Sequence, residues 1–254
     1  MTVRELYDIL DARYPRALSA EWDSDGLQCS PDPSAPVRRA LTALDVTEAT
    51  VERAIAIHAD VILSHHPLLF HPVHEVVADR GLGQRLVRLL SAGISVISFH
   101  TRADAAEGGV NDLLARALSL SEVTPFADGL GRVGTLSAPE SVETFARRTA
   151  DVLGAPAVAF GDAGRPVCRV AVLGGSGKSE IEAAIASGAD TFLSGRLSYE
   201  TVNEAPELRI NLLEAGHFYT EALLPRLWAR ELPSYGIDAE YFDSCRVRVI
   251  GQHQ

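Results

Sequence analysis

The chain is short of several things. It holds three cysteines in 254 residues, Cys29, Cys168 and Cys245, far apart and without metal or redox spacing. So sparse and odd a set excludes a disulfide framework and fits a reducing compartment. Lys178 is the sole lysine, which leaves one candidate for Schiff-base chemistry. Lysine and arginine together number 23 against 34 acidic residues, for a net charge of −11. A surface of that sign repels a phosphate backbone and no basic run offsets it, so nucleic acid is not an expected partner. No apolar run is long enough to span a bilayer. The opening MTVRELYDIL has no apolar signal core. A cytoplasmic protein with no membrane partner is therefore expected.

What is present is an alternation of strands and helices. Hydrophobic residues make up 46% and charged residues 22%, which suits one large or two small globular domains. Residues 1–14 read as an amphipathic helix. ALTALDV (40–46) reads as a buried strand, and Thr47 caps a helix that runs to about Ala59. DVILSHH (60–66) is the next strand, a helix covers 82–92, ISVISFH (94–100) is a strand and 108–118 a helix. A turn or linker follows near Phe126. Strands are expected again at 132–138, 168–175, 190–195, 209–217 and 239–251, with helices to Leu153, to Ser187 and over 219–231. This rhythm implies an α/β fold of mainly parallel sheets flanked by helices. Domains are expected at 1–125 and 126–254.

The two halves resemble each other. ALTALDVTEATVERAIAIHADVILSHH lines up with RVAVLGGSGKSEIEAAIASGADTFLSGR, matching Ala59-Asp60 with Ala189-Asp190 and Ser64-His65 with Ser194-Gly195. SAGISVISFHTRAD (91–104) likewise resembles LRINLLEAGHFYTE (208–221). The chain reads as two similar α/β units, though any two such units share some likeness.

Ligands of open α/β sheets gather where strands end. Three histidine segments sit at such places: His65-His66, His100 and His217. His100 and Asp104 are four residues apart, as are His217 and Glu221. A helix starting after each strand would put each pair on one face. Imidazole and carboxylate without soft sulfur suit Zn, Fe, Mn, Co or Ni. Adjacent histidines alternate in direction along a regular strand, so a turn after Ser64, favoured by Pro67, must splay them. His58, His71, His74 and His253 are expected to be structural, exposed or in the tail. GGSGKSE (174–180) fails both the Walker and the dinucleotide patterns and reads as a glycine-rich strand-to-helix turn with exposed N–H groups. Neither Ser64 nor Ser194 lies in a nucleophile elbow.

WDSDGLQ (22–28), SHHPLLF (64–70), HTRADAAEGGVND (100–112), VLGGSGKSEI (172–181) and EAGHFYTE (214–221) occur in the order found in one family. On these motifs the chain resembles the Nif-three-like family, also called the GTP cyclohydrolase I type 2 family, over nearly its whole length. The resemblance implies two α/β domains with a metal site between them. It implies two divalent metal ions held by His65, His66, Asp104, His217 and Glu221, with His100 nearby either supporting the ligands from behind or acting as a proton-transfer residue. No separate cofactor-binding residues are expected. It further implies a toroidal homohexamer and a metal-dependent hydrolase that converts GTP to dihydroneopterin triphosphate and formate. The alternative is a non-enzymatic metal-binding scaffold, storage or regulatory protein. Two positions depart from the family pattern: Ser24, where Asn is usual, and Arg196, where an acidic residue is usual. An arginine there favours an anionic ligand, such as a nucleotide or another phosphorylated small molecule.

Overall fold

The computed structural model describes residues 1–248. It opens with α1 (Val3–Arg13), β1 (Gly26–Cys29), β2 (Arg39–Ala43), α2 (Glu48–Ala56), β3 (Val61–Ser64), α3 (Gly81–Ser91), β4 (Ser95–Ser98) and α4 (Thr101–Ala105). Next come α5 (Val110–Ala117), β5 (Ser121–Phe126), β6 (Gly131–Glu140), α6 (Val142–Leu153), β7 (Ala159–Gly161), β8 (Val167–Ser176), α7 (Ile181–Ala186) and β9 (Thr191–Arg196). The chain ends with α8 (Tyr199–Asn203), α9 (Ala205–Leu208), β10 (Asn211–Glu214), α10 (His217–Glu221), α11 (Leu223–Glu231) and β11 (Asp238–Tyr241). Of the strand expected at 239–251, the part beyond 248 lies outside the described residues. Among those residues no helix is long and apolar enough to cross a membrane.

Two compact units emerge. The first comprises Met1–Ala106 and Leu224–Cys245; the second is built on Glu107–Leu223. The expected division at 125/126 falls instead inside the antiparallel hairpin β5–β6, where Phe126 pairs with Gly131. The Asp128-Gly129 signal marked the hairpin turn, not a linker. The end of the chain returns to the first unit because β11 pairs in parallel with β2.

The first unit has a five-stranded sheet in the order β1-β4-β3-β2-β11. Its four inner and carboxyl-side strands run parallel, and only β1 is antiparallel. Thr47 caps α2 through a capping box with Thr50, as its position before the apolar-periodic run predicts. Val51 and Ala54 of α2 and Leu86 and Leu89 of α3 pack with Leu41, Ile62 and Val96 of the sheet. An aromatic group of Tyr14, Phe99 and Trp228 forms elsewhere in the unit, with ring centroids 5.4–6.5 Å apart.

The second unit has a six-stranded sheet in the order β5-β6-β8-β9-β10-β7. Its parallel centre, β8-β9-β10, is flanked by antiparallel strands. Alternate residues serve two cores. Val170, Val172, Leu193 and Leu213 join α5 and α6 in one. Ala171, Leu173, Phe192 and Leu212 join Ile181 and Ala184 of α7 and Ala205 of α9 in the other. Burial on both faces explains why these strands read as continuous apolar runs.

Candidate metal centre

In the first unit, β3 stops at Ser64 and the chain turns at His65-His66. The turn brings the two imidazoles together: their centroids lie 5.2 Å apart with 40° between planes. His100 follows β4 and its ring sits 5.4 Å from His65 and 5.7 Å from His66. One ligand atom from each of the three lies within 4.8 Å of the others.

Each ring is fixed by an oxygen at Nδ1. His65 Nδ1–H donates to the Phe99 carbonyl at 2.8 Å, inside the core. His66 Nδ1–H donates to Asp45 Oδ1 at 2.7 Å. His100 Nδ1–H donates to Asp23 Oδ1 at 2.9 Å. A carbonyl or carboxylate oxygen can only accept, so each contact assigns the proton to Nδ1 and the ring lone pair to Nε2. Metal-binding histidines are commonly oriented in this way.

Asp23 and Asp25, from the WDSDG segment, clamp the chain that carries His100. Asp23 Oδ2 accepts from the Thr101 N–H at 3.0 Å and from its hydroxyl at 2.5 Å. Asp25 Oδ2 accepts from the His100 N–H at 2.9 Å and from Arg102 Nε at 3.0 Å. Burial raises the pKa of Asp23, but hydrogen bonds from His100 and Thr101 outweigh it and hold the carboxyl at about 2. The fully buried Arg102 also reaches Asp11 at 2.6 Å and the Tyr14 carbonyl at 2.9 Å, and lies over the Phe99 ring at 4.5 Å. Its charge is thus compensated on several sides, as a buried guanidinium requires.

The expected pairing of His100 with Asp104 is replaced by another. His100 is the residue before α4, with φ −103° and ψ −117°, and does not share a helical face with Asp104. The buried Asp104 instead faces His65, Oδ1 to Nε2, at 3.4 Å.

In the second unit, α10 begins at His217, and here the four-residue spacing does place both side chains on one face. His217 Nε2 and Glu221 Oε2 are 2.9 Å apart, with Glu221 buried and His217 about half exposed. The helix lies against the ends of β8 and β9 because glycines leave room. A methyl on Gly175, where φ is +68°, would stand 2.1 Å from Glu221 Oε1. One on Gly195 would stand 2.6 Å from the Gly175 carbonyl oxygen and 2.8 Å from His217 Cα. Thr220 completes the contact by accepting from the Gly175 N–H at 3.1 Å and donating to the His217 carbonyl at 2.9 Å. The glycine-rich stretch at 174–177 is therefore the end of β8 and a cradle for α10. Only a 3₁₀ turn, Lys178–Glu180, and the six-residue α7 follow it. Arg196 ends β9 next to Gly195, with its side chain exposed.

The donor set fits a divalent transition metal. It is imidazole and carboxylate, with no cysteine in the group. Two donors sharing an ion at about 2.0–2.1 Å lie roughly 2.8–3.4 Å apart for coordination angles of 90–109°. The His217–Glu221 and His65–Asp104 separations of 2.9 and 3.4 Å fall in that interval.

Several supporting residues escaped the sequence reading: Asp23, Asp25, Asp45, Arg102 and Thr220. The two aspartates of WDSDG carried a signal, paired carboxylates just before a glycine and a strand. Asp45 carried none, since it meets His66 only through the parallel pairing of β2 with β3. Of the remaining histidines, His58 is exposed at the end of α2, His71 and His74 are exposed in the loop after β3, and His253 lies outside the described residues.

Comparison with known proteins identifies the family. The family model Duf34/NIF3 (NGG1p interacting factor 3) matches residues 1–244. A protein of Streptomyces coelicolor named "GTP cyclohydrolase 1 type 2 homolog" is 36% identical over 230 residues, covering 85% of this chain and 80% of its own. One of the same name from Allochromatium vinosum is 37% identical over 222 residues, covering 86% and 85%. Among solved structures, Staphylococcus aureus protein SA1388 superposes with a TM-score of 0.87 at 25% identity, over 98% of this chain and 99% of that one. Reduced HcgD from Methanocaldococcus jannaschii gives 0.82 at 28% identity, over 96% and 97%. The chain belongs to the Duf34/NIF3 family.

Proposed function

We propose that this chain is a metal-dependent hydrolase of the GTP cyclohydrolase 1 type 2 kind, in which His65, His66, Asp104, His217 and Glu221 act as one ligand set for two divalent ions. The observation that carries the reading is the group of three histidines, each fixed at Nδ1 by an oxygen, with one ligand atom from each within 4.8 Å of the others. Chain connectivity supports joining the two halves. Asp104 stands two residues before the chain leaves the first unit, and Glu221 two residues before it leaves the second. Bound divalent ions supply Lewis-acid polarisation and lower the pKa of a coordinated water toward ~7.

The chain's own residues supply the rest. His65 and His66 are pre-oriented, so little side-chain freedom is lost on binding. His100 is the proton-transfer residue. Its Nδ1–H is anchored on an ionised carboxylate, which stabilises the imidazolium when Nε2 takes a proton. Arg196, exposed beside the His217 cradle, offers a guanidinium to a phosphate. With GTP, two waters would cleave the two C8–N bonds of guanine and release C8 as formate, and the rearranged ribose would then close on the freed amine with loss of one water, giving dihydroneopterin triphosphate. The same reading carries a homohexamer, which light scattering would report as six chain masses.

The test is formate release from GTP by metal-loaded protein. Wild type should release one formate per GTP consumed, and His100→Gln should lose about 10²–10⁴-fold in rate while keeping its metal. Metal-loaded wild type that releases no formate would remove GTP as substrate and leave the metal centre standing.

A further inference from the structure

Of the two tryptophans, one is buried and one is not. Trp228 is 1% exposed and its indole N–H donates to the Tyr14 hydroxyl at 3.1 Å. Trp22 is 64% exposed and Phe70 beside it 40%. Their centroids are 6.0 Å apart at 68°. Trp22 also lies 6.0 Å from His100 at 73°, and Phe70 lies 6.0 Å from His100 at 81°. Both ring contacts of Trp22 are thus edge-to-face. Among the described residues no ring lies flat on the indole, so its π-surface is open to a planar partner.

The pair is also held in place. The Gln28 amide donates to the Ser24 carbonyl at 2.6 Å and to the Leu69 carbonyl at 3.3 Å, and its oxygen accepts from the Leu69 N–H at 2.9 Å. One side chain therefore ties the segment after Trp22 to the residue before Phe70. Asp23, next in the chain, is fixed through Thr101 and His100. Exposing two large aromatics costs hydration free energy, and fixing them beside a polar group adds an ordering cost. A ligand that stacks on them recovers both.

We infer that Trp22 and Phe70 form a stacking platform for a planar heteroaromatic ring of the substrate and set its position against His100. Gln28 is a positioning residue for the platform. This rests on reading the histidine group as the reacting centre, and it adds what that reading lacks: a determinant for the ring, separate from the residues that hold metal or phosphate.

The test is binding without turnover. Guanosine is the ring-bearing probe, and inorganic triphosphate and ribose 5-phosphate are the ring-free ones. Acrylamide quenching of the full-length protein reads Trp22, because Trp228 is buried. Guanosine should shield the exposed indole. Trp22→Ala and Phe70→Ala should each weaken guanosine binding about tenfold or more, and Trp22→Phe should weaken it less. Triphosphate binding and metal content should stay at wild-type levels in all three. Guanosine that leaves the indole open to acrylamide, or binds the alanine variants within twofold of wild type, would overturn the inference. So would an indole already shielded without ligand, because another chain would then cover the patch. Loss of metal from wild type would instead strike the metal reading, so the two failures are told apart.

Discussion

The two units share a frame and differ in how they hold their functional side chains. In the first, Asp60 Oδ2 accepts from the N–H groups of Arg38 and Arg39 at 2.7 and 2.9 Å, closing the start of β2. In the second, Asp190 accepts from Cys168 and Arg169 at 3.1 and 2.8 Å, closing the start of β8 in the same way. The left-handed position that ends the preceding helix is His58 in one and Gly188 in the other. Beyond the frame they diverge. The first unit holds His100 and its neighbours with buried charge: Asp23, Asp25 and Arg102. The second holds His217 and Glu221 by omitting side chains at Gly175 and Gly195. Where the first strand end bears His65, the second bears Gly195. One frame can thus present ligands by adding anchors or by leaving space, and the two devices should fail under different perturbations.

The largest effect should come from the buried charge. Arg102→Met leaves Asp25 with only the exposed Arg16 as its cation and also removes the bond to Asp11, and with two charge-assisted bonds lost unfolding should become easier by about 3–5 kcal/mol in denaturant titration. A loss under 1 kcal/mol would show that the first unit does not depend on this anchor. Gly175→Ala tests the other device. It sets a methyl against Glu221 at a positive φ, and overpacking with backbone strain should cost about 2–4 kcal/mol. Wild-type stability here would erase the contrast.

The shared frame gives a smaller pair of effects. Asp190→Ala should cost about 2 kcal/mol and Asp60→Ala about 1, because Asp190 is the more buried and also accepts from the Thr191 hydroxyl at 2.8 Å. Equal costs would make the two caps interchangeable. The smallest effect is a pH dependence confined to the first unit. Asp23 is held at about 2 against an ordinary value of 3.8, so its contribution is full above 3.8 and is lost as pH falls through about 2. The stability gap between wild type and Asp23→Asn should therefore narrow from pH 4 downward. A gap that stays constant from pH 6 to 2.5 would contradict the assignment.

Much of this was legible in the sequence, for identifiable reasons. Apolar periodicity, the Thr47 cap and the Ala-Asp repeats report local geometry, and they located the parallel strands of both units. The edge strands β1, β5 and β7 were not read. They are short, or lie beside a signal that reads equally as turn or linker, and their pairing is set by distant partners. The histidines showed because strand ends are legible, and the five proposed ligand residues came from the family motifs. Their supports were hidden: Asp45, Asp23 and Arg102 reach their partners across 21, 77 and 91 positions of chain. The one-residue offset between His100, which precedes α4, and His217, which begins α10, also escaped. An ungapped alignment cannot show it.

The most direct test of the proposed single ligand set is metal content in protein purified without chelator or metal-affinity resin. The account predicts about two ions per wild-type chain, the number taken from the proposed pair of ions. It predicts a sharp fall both in Asp104→Ala, a change in the first unit, and in His217→Ala, a change in the second. Wild-type protein that holds no metal and takes up none of Zn, Fe, Mn, Co or Ni would contradict it, as would full metal content in either variant.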